Sequence, residues 1–559
     1  MKKYLIIFII AGSLAACRKE NNGPAEMYTP GLVFDSLDKN GTNAQLFLNN
    51  IYADMPVGFN RIDFDMLDAG TDDAMPSRNG SNIQIFIQSN LTNSNNPDDS
   101  WSQNYGSIRK VNLFLGQVGV VPVPSLLPYW RAEARFLRAL FYFELVKRYG
   151  GVPLIGDTVY PSGAVIRSPR STFEQCINYI VSECDSIKGA ERVEPLSSSD
   201  WGKASRGAVL ALKSRVLLYA ASPLFNGGVP AGASPAQQAL MGYPTYDITR
   251  WAKAATAAND LLVLNAYSLE TAFNNPFLNR QNKEVILPYL RATTTDLETN
   301  NGPVGYSLQG AAFGNTSPTQ DLVDAFPMLN GKAITDAGSG YDPNNPYVNR
   351  DPRLANTVLY NNVSWLSRPL QTYEGGLDKP NNNRVQTRTG YYMRKFLGNF
   401  ATATSYSAQN HNFPIFRLAE VMLNYAEALN ESSGPVTAVY TQLINLRKRA
   451  GIAAGTDGKY GLSATLTQDQ MRTVIRNERR VEMAFEEQRF YDLRRWKLAE
   501  TALNKNLSGM RITLNAGGSF SYQPFAAAPI SFAFPRMYLD PIPFSELTTD
   551  PNLIQNYGW

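Results

Sequence analysis

The chain has 559 residues, of which 44% are hydrophobic and 18% charged, so it has enough apolar content for a folded core and is not globally disordered. Its 52 Lys and Arg residues against 48 Asp and Glu residues give a net charge of +4, which excludes the strongly basic field typical of nucleic-acid-binding proteins. A single histidine, His411, excludes two-histidine zinc motifs and multi-histidine metal centres, and we expect no metal or other cofactor.

The N-terminus has the pattern of an export signal. Lysines at positions 2 and 3 precede an apolar stretch at 4–11 that is too short to span a bilayer, and Leu14-Ala15-Ala16-Cys17 follows. These four residues resemble the bacterial lipobox, in which the cysteine is acylated and becomes the new first residue. We therefore predict a signal peptide at 1–16, lipidation of Cys17 and a flexible tether at 17–30, with acyl chains holding the protein on a membrane.

Amphipathic helices dominate the rest of the chain. Between 130 and 148, Ala134, Leu137 and Phe141 recur at steps of three and four, which is the spacing of one helix face. The same pattern predicts further helices at 203–221, 251–264, 417–430, 436–450 and 471–495. Since the fourth and fifth of these six helices form a hairpin around a Gly-Pro breaker, we expect a mainly α fold of tetratricopeptide-like helical hairpins with few short strands.

The two cysteines after the export signal are not expected to pair. Cys176 and Cys184 lie in a segment that also looks helical, which would separate them by about 12 Å at the helical rise of ~1.5 Å per residue. An exported protein without a disulfide must rest on its hydrophobic core, which a chain of this size can provide.

Long stretches rich in Asn, Gly and Pro separate the helices, and they lie at 72–105, 222–249, 271–320 and 328–412. They are longer than ordinary loops of about 12–15 residues, and long loops on a helical scaffold usually carry function. Within them, the sequence IQIFI at 83–87 reads as a small strand. His411, flanked by Asn410 and Asn412, reads as a solvated loop histidine.

Several sequence blocks resemble the SusD/RagB family of outer-membrane lipoproteins, in the same order along the chain. They are AEARFLRA at 132–139, YGGVPL at 149–154, RDPRL at 350–354, IRNERRVEMAFE at 475–486, RFYDLRRW at 489–496, LDPIP at 539–543 and QNYGW at 555–559. The block at 475–486 is the most specific, and the resemblance covers nearly the whole mature chain.

This resemblance implies a fold, a location and a function. The fold would be four tetratricopeptide-like hairpins with a long-loop ligand face, built from an N-terminal region at 31–270 and a C-terminal region at 271–559 that together form one integrated domain. The protein would be lipid-anchored in the outer membrane and face the outside of the cell. It would capture glycans without cleaving them and deliver them to a SusC-type TonB-dependent transporter. Peptide cargo on the same scaffold stays open as an alternative.

The helix at 471–495 is dense in charge and could suggest a catalytic cluster. Its acids, however, have arginines three or four positions away, as in Arg479 with Glu482 and Glu486 with Arg489. We therefore interpret these residues as structural ion pairs. A surface glycosidase using Asp72 or Asp73 with Glu374 is the remaining enzymatic alternative.

A glycan site needs flat aromatic faces together with amides, carboxylates or arginines that bind hydroxyl groups. The long loops contain three such mixtures, whose candidate ligand-binding residues are Asp73, Arg78, Asn79, Tyr341, Tyr347, Trp365, Arg368 and Tyr373. We rank Trp365 and Tyr373 first, because no amphipathic pattern explains an aromatic ring in these polar stretches. The alternative, that each ring anchors its loop to the scaffold, stays open.

Overall fold

The computed structural model describes residues 30–161, 164–306, 313–399 and 406–559. Its α-helices are α1 (Pro30–Val33), α2 (Thr42–Tyr52), α3 (Gln84–Ile87), α4 (Trp101–Gln117), α5 (Leu127–Tyr149), α6 (Phe173–Ser186), α7 (Arg206–Ala221), α8 (Pro235–Met241), α9 (Thr249–Leu262), α10 (Asn275–Leu278), α11 (Asp296–Asn301), α12 (Gln320–Ala325), α13 (Arg353–Thr357), α14 (Leu418–Ser433), α15 (Thr437–Ala450), α16 (Gln468–Glu482), α17 (Gln488–Arg495), α18 (Ala499–Ala502) and α19 (Phe544–Thr549).

In the described part of the chain the strands pair two by two, and all are short except β9 and β10, which have 10 and 11 residues. They are β1 (Ala74–Pro76), β2 (Val285–Tyr289), β3 (Thr316–Pro318), β4 (Val358–Leu359), β5 (Ser364–Trp365), β6 (Arg368–Pro369), β7 (Tyr392–Met393), β8 (Phe413–Arg417), β9 (Lys505–Leu514) and β10 (Phe520–Ile530). All five pairs are antiparallel: β1 with β3, β2 with β8, β4 with β7, β5 with β6 and β9 with β10. The strand predicted at 83–87 is wrong, because Ser81, Asn82 and Ile83 accept backbone hydrogen bonds from residues three positions ahead and close a helical turn there.

Eight long helices form the scaffold as four successive pairs: α2 with α4, α5 with α6, α7 with α9, and α14 with α15. Each pair also packs on the next one, and α16 packs against α14. Because pairs that follow one another in the chain are also neighbours in space, the helices stack in chain order and share their apolar faces. The prediction of a mainly α, tetratricopeptide-like scaffold is confirmed.

Local sequence signals set the helix ends. Thr172 with Gln175 starts α6 with a reciprocal capping box, and Thr467 with Gln470 starts α16 in the same way. Gly150 ends α5 with φ of 77°, and a β-carbon there would lie 2.5 Å from a backbone oxygen of α8. Only glycine therefore satisfies both the positive φ and the close approach at that position.

The helix predicted at 471–495 is wrong in extent, because the structure divides it into α16 and α17. Phe485 and Glu487 have φ of 62° and 59° between them, outside the helical region. The turn buries the Phe485 ring completely, and its backbone N–H donates to Asp68 Oδ1 at 2.9 Å. Burial of an aromatic ring offsets the cost of the left-handed backbone.

Buried ion pairs hold α16 to the rest of the scaffold. Glu482 accepts from Arg417 Nη1 at 2.8 Å and from Arg353 Nη1 at 3.0 Å, and it also pairs with Arg449. Glu486 accepts from Arg417 Nε at 2.7 Å. Burial alone would raise the pKa of Glu482, but the three surrounding arginines hold it well below its usual range.

The interpretation of this region as structural ion pairs is confirmed, but the predicted partners are wrong. Arg479 Nε binds Asp492 Oδ2 at 2.7 Å rather than Glu482. Arg489 Nη2 binds Asp72 Oδ2 at 2.9 Å rather than Glu486. The turn between α16 and α17 breaks the helical spacing between Glu486 and Arg489. Arg479 and Glu482 share α16, but each is buried against other segments and binds partners there, Arg479 with Asp492 and Glu482 with Arg417.

The prediction of a solvated histidine is wrong. The His411 side chain is fully buried, and its Nε2 lies 2.8 Å from Glu298 Oε1 on α11. The polar neighbours in sequence misled the prediction, because Asn412 is itself buried and donates to the backbone carbonyl of Pro276 at 3.2 Å. This segment is therefore an interior connection held by hydrogen bonds.

Two further expectations concern the cysteines and the N-terminus. Cys176 and Cys184 both lie on α6, buried and free, as predicted. Across the described residues, no helix is both long and apolar enough to span a membrane. The predicted signal peptide, Cys17 and the tether up to residue 29 lie outside the described residues.

Replacing Glu482 by Gln tests the buried network. The change leaves three arginines short of a buried counter-charge, and we expect a loss of about 3–5 kcal/mol in the free energy of unfolding. Because the pKa of Glu482 is lowered on folding, its contribution is present above the unfolded value of about 4.3 and is lost as the pH falls. Urea unfolding at pH 7 and pH 3 should therefore show a smaller difference between the variant and the parent at the lower pH.

Glu500→Gln is the matched control, since Glu500 is exposed on α18 and should change stability little. An equal, small effect of both substitutions would contradict the assigned role of the network.

Candidate functional site

Four chain segments meet beside the β1–β3 pair. Ser77 follows β1, and its backbone N–H donates to Asn315 O at 2.6 Å. The Arg388 N–H donates to Ser317 Oγ at 3.2 Å, which ties the 380s segment to β3. The β9–β10 hairpin closes the arrangement, because a backbone N–H of β9 donates to Thr389 O at 2.7 Å. Parts of two predicted ligand loops, 72–105 and 328–412, therefore lie side by side.

An open cleft of about 390 Å³ lies between these segments. Its lining residues are Ser77, Asn79, Glu374, Lys379, Asn381, Arg384, Val385, Gln386, Thr387, Arg388, Arg511 and Phe525. Amides, charged groups and hydroxyls predominate, with one aromatic ring. Side chains of these types can bind a polyhydroxylated ligand through many hydrogen bonds, which the planar amide, carboxylate and guanidinium groups make in their own plane.

Glu374 is the acidic group of this lining, and it is already engaged. Its carboxylate accepts from Lys379 Nζ at 2.8 Å and from Asn381 Nδ2 at 2.7 Å. Burial alone would raise the pKa of Glu374, but these hydrogen bonds lower it below its ordinary value. Glu374 is therefore ionised at neutral pH and is a poor proton donor for a glycosidic oxygen.

The predicted residues Arg78 and Asn79 reach this cleft or its edge. Asn79 is exposed on the lining, and within the described residues its amide makes no hydrogen bond to the protein. Arg78 lies beside Asn79 and pairs with Asp63 Oδ1 at 3.3 Å. Its guanidinium carbon lies 5.4 Å from the centre of the Phe64 ring.

Phe64 is a candidate that sequence reasoning missed. Ile62, Phe64 and Met66 alternate with charged residues, a pattern that places all three on one buried face of a strand. The structure buries the first and last of them, but Phe64 is 53% exposed. Asp63 and Phe64 have φ of 51° and 70°, and this left-handed turn directs the ring to solvent. No signal in a single sequence identifies such a turn.

Trp365, ranked first in the sequence analysis, lies beneath the loops. Only 2% of it is exposed, its ring centre lies 4.9 Å from that of Tyr306, and its Nε1 donates to Gly398 O at 3.3 Å. In this conformation the ring anchors its loop to the scaffold, which is the alternative left open above. A ligand contact by Trp365 stays a prediction.

Other predicted aromatic residues also pack on protein. Tyr347 stacks on Tyr360 with ring centres 4.3 Å apart. Tyr373 is half-buried, and its ring centre lies 5.7 Å from that of an aromatic residue at the start of β10. The Tyr341 ring centre lies 5.6 Å from the guanidinium carbon of Arg350. These rings pack around the loops, and none of them is in the lining of the cleft.

Arg368 is bound to a buried acid. It makes two hydrogen bonds to Asp378, at 2.8 and 2.9 Å, and its guanidinium carbon lies 3.8 Å from the centre of the Tyr306 ring. The backbone N–H of Gln371 also donates to Asp378, at 2.8 Å. Arg368 therefore closes the loop at 368–378 on itself, and its ligand-binding role stays a prediction.

Asp72 and Asp73 are buried in ion pairs with α16 and α17. Arg489 donates to both oxygens of Asp72 at 2.9 Å, and Arg480 Nη2 binds Asp73 Oδ1 at 2.6 Å. Despite burial, the two arginines hold the pKa of Asp72 well below its usual range. Neither carboxylate is open to solvent, so the pair is unsuited to the glycosidase chemistry considered above.

A larger cleft of about 570 Å³ lies between α4, α19 and the segment at 153–168. Two of its polar groups already bond to protein: the Tyr105 hydroxyl donates to Pro153 O at 2.8 Å, and Asn112 Nδ2 donates to Gly156 O at 2.9 Å. Much of the remaining lining is apolar and includes Trp101, Ile108, Ile155 and Leu553, whereas polar side chains predominate in the smaller cleft. We therefore place the candidate site at the smaller, polar cleft.

Comparison with known proteins gives two family matches. The model described as the SusD family matches residues 270–559, and the one described as starch-binding associating with outer membrane matches 42–218. A relative, SusD-like protein P2 of Formosa agariphila, is 24% identical and aligns over 100% of this chain and 99% of its own.

Solved structures agree with these matches. A SusD-like protein from Bacteroides fragilis is 25% identical, with a TM-score of 0.78 over 94% of this chain and 98% of its own. A laminarin-binding SusD-like protein is 22% identical, with a TM-score of 0.63 over 93% and 100% of the two chains.

Replacing Trp365 by Ala tests its structural role. We expect a loss of about 3–5 kcal/mol in the free energy of unfolding, because the change empties a buried aromatic site. Thermal or urea unfolding measures this loss, and Tyr246→Ala is the control, since Tyr246 is 61% exposed. Unchanged stability together with lost ligand binding would instead show that the ring acts in recognition.

Proposed function

We propose that this chain, which belongs to the SusD family, captures oligosaccharides or polysaccharides at the cell surface and delivers them to a SusC-type TonB-dependent transporter. The observation that carries the proposal is the open cleft at 77–79, 374–388 and the β9–β10 hairpin, whose lining is rich in amides and charged groups. Similarity to a family described as starch-binding and to a laminarin-binding SusD-like protein supports a glycan as the ligand.

The geometry favours capture over bond cleavage. Glycoside hydrolysis needs two carboxyl groups placed on either side of the scissile bond, one of them protonated. Glu374 is ionised and hydrogen-bonded, and Asp72 and Asp73 are enclosed by arginines. The lining can instead hold sugar hydroxyls, with the exposed Asn79 amide as one contact. The exposed Phe64 ring is outside the lining, but it lies 5.4 Å from the guanidinium carbon of Arg78, the neighbour of Asn79, and offers a stacking face there.

We further propose that acylated Cys17 attaches the protein to the outer membrane, with the cleft on the outside of the cell. The lipobox at 14–17 and the charged residues that follow it support this attachment. Residues 42–218 match a starch-binding family that associates with the outer membrane, which supports this location.

Affinity electrophoresis of residues 18–559 through gels that contain single polysaccharides tests glycan capture. We expect at least one polymer to retard the protein. Asn79→Ala and Phe64→Ala should each weaken the apparent affinity by roughly tenfold, the effect of one lost hydrogen-bonding group or stacked ring. Tyr246→Ala is the control for loss of an exposed ring outside the cleft.

The location of the site and the capture of glycans can be contradicted separately. Retardation that survives both Asn79→Ala and Phe64→Ala would move the site elsewhere on the protein. If no polymer retards the protein, glycan capture is wrong and peptide cargo becomes the leading alternative.

Cys17→Ala tests the anchor and the partner in the native host. We expect the variant to leave the membrane fraction, because it lacks the acylated residue, while Asn21→Ala in the tether stays membrane-bound. Affinity purification of the parent from detergent-solubilised outer membranes should recover a larger β-barrel transporter. A parent protein that is repeatedly purified alone would contradict the proposed partnership.

A further inference from the structure

We propose that the glycan bound in this cleft is acidic, with carboxylate or sulfate groups on its sugars. The inference rests on the proposed function and names the chemical class of its ligand. Its basis is the arrangement of charged side chains around the cleft.

The cleft lining is strongly basic in a nearly neutral chain. It contains four cations, Lys379, Arg384, Arg388 and Arg511, and one acid, Glu374. The whole chain has a net charge of only +4. Since the single acid is paired with Lys379 at 2.8 Å, the lining as a whole keeps an excess of positive charge over the cleft.

Arg388 is the cation best placed to bind an anionic group in the cleft. Its backbone N–H is bound to Ser317, and the next residue, Thr389, accepts from Met510 and donates its hydroxyl to Pro318 O at 2.5 Å. These bonds fix the backbone at the cleft. The side chain is half-buried, and within the described residues its guanidinium has neither an ion pair nor a hydrogen bond.

This state is unlike that of the buried arginines, which bind carboxylates or, as Arg170 and Arg494 do, backbone carbonyls. Arg353 and Arg417, for example, each face at least two carboxylates. Burial without a counter-charge lowers the pKa of Arg388, which reflects the desolvation of an unpaired cation. An anionic group in the cleft would form charge-assisted, bidentate hydrogen bonds with the guanidinium and offset that cost.

Arg511 extends the basic surface across the β9–β10 hairpin. It is exposed, and its guanidinium carbon lies 5.5 Å from the centre of the Phe525 ring. Lys379 Nζ lies 5.9 Å from the centre of the same ring. A sugar on this ring would have two cations within reach, so acidic substituents of more than one residue could be bound.

Matched polymers test the inference with the chain of residues 18–559. Dextran sulfate is compared with dextran, and polygalacturonate with its methyl ester, so that the members of each pair share a backbone and differ in charge. We expect the acidic member of at least one pair to bind roughly tenfold more tightly than its neutral partner. The pair that shows this difference identifies whether the cleft prefers sulfate or carboxylate groups. Polyglutamate serves as an acidic polymer without sugars.

Arg388→Gln and Arg511→Gln should each reduce the preference for the acidic polymer, by about tenfold for Arg388. Arg131→Gln is the control, because Arg131 is exposed on α5 and outside the cleft lining. Unchanged thermal unfolding of Arg388→Gln would show that the loss is local, as expected for a guanidinium without polar partners among the described residues.

Other results would contradict the acidity of the ligand, the cleft as its binding site or the specificity for glycans. Equal binding of neutral and acidic polymers, unaffected by Arg388→Gln, refutes the acidic ligand but keeps glycan capture. Acidic binding that survives both substitutions refutes the cleft as its site, and equal binding of polyglutamate refutes a glycan-specific site. If no polymer binds, the proposed function itself is wrong.

Discussion

Buried carboxylates on α16 constrain the whole scaffold. An ionised group in a protein interior is tolerated only when counter-charges and hydrogen bonds surround it. Glu482 meets this requirement through Arg353, Arg417 and Arg449, which come from α13, the end of β8 and α15. Three segments from different parts of the sequence must therefore converge on one residue, and the fold is correct only when they do.

The same helical region also positions the candidate site. Arg480 on α16 and Arg489 on α17 bind Asp72 and Asp73, which directly precede β1. Strand β1 then pairs with β3 and leads into Ser77 at the edge of the cleft. The break between α16 and α17 is part of this arrangement, because it lets one helical region bind both the scaffold and the loop.

The helical scaffold could be predicted from sequence because its signals are local. The repeat of Leu137 and Phe141 within α5 is a property of a few consecutive residues, and the family blocks match in order. The cleft could not be predicted in the same way. Phe64 is exposed by a left-handed turn, and Trp365 packs against rings from other segments. His411 is buried against α11, a helix distant in sequence. Such environments depend on contacts that no sequence period encodes.

Charged side chains have two roles in this molecule: they form buried ion pairs in the scaffold, and they create a positive field at the cleft. In the scaffold, cations such as Arg417 are enclosed with their carboxylates, so their fields largely cancel outside the protein. At the cleft, Arg388 is held by its backbone but has no carboxylate partner among the described residues. A nearly neutral chain can thus present a local positive field without a large net charge, because the field depends on which cations are left without a counter-charge and where they lie.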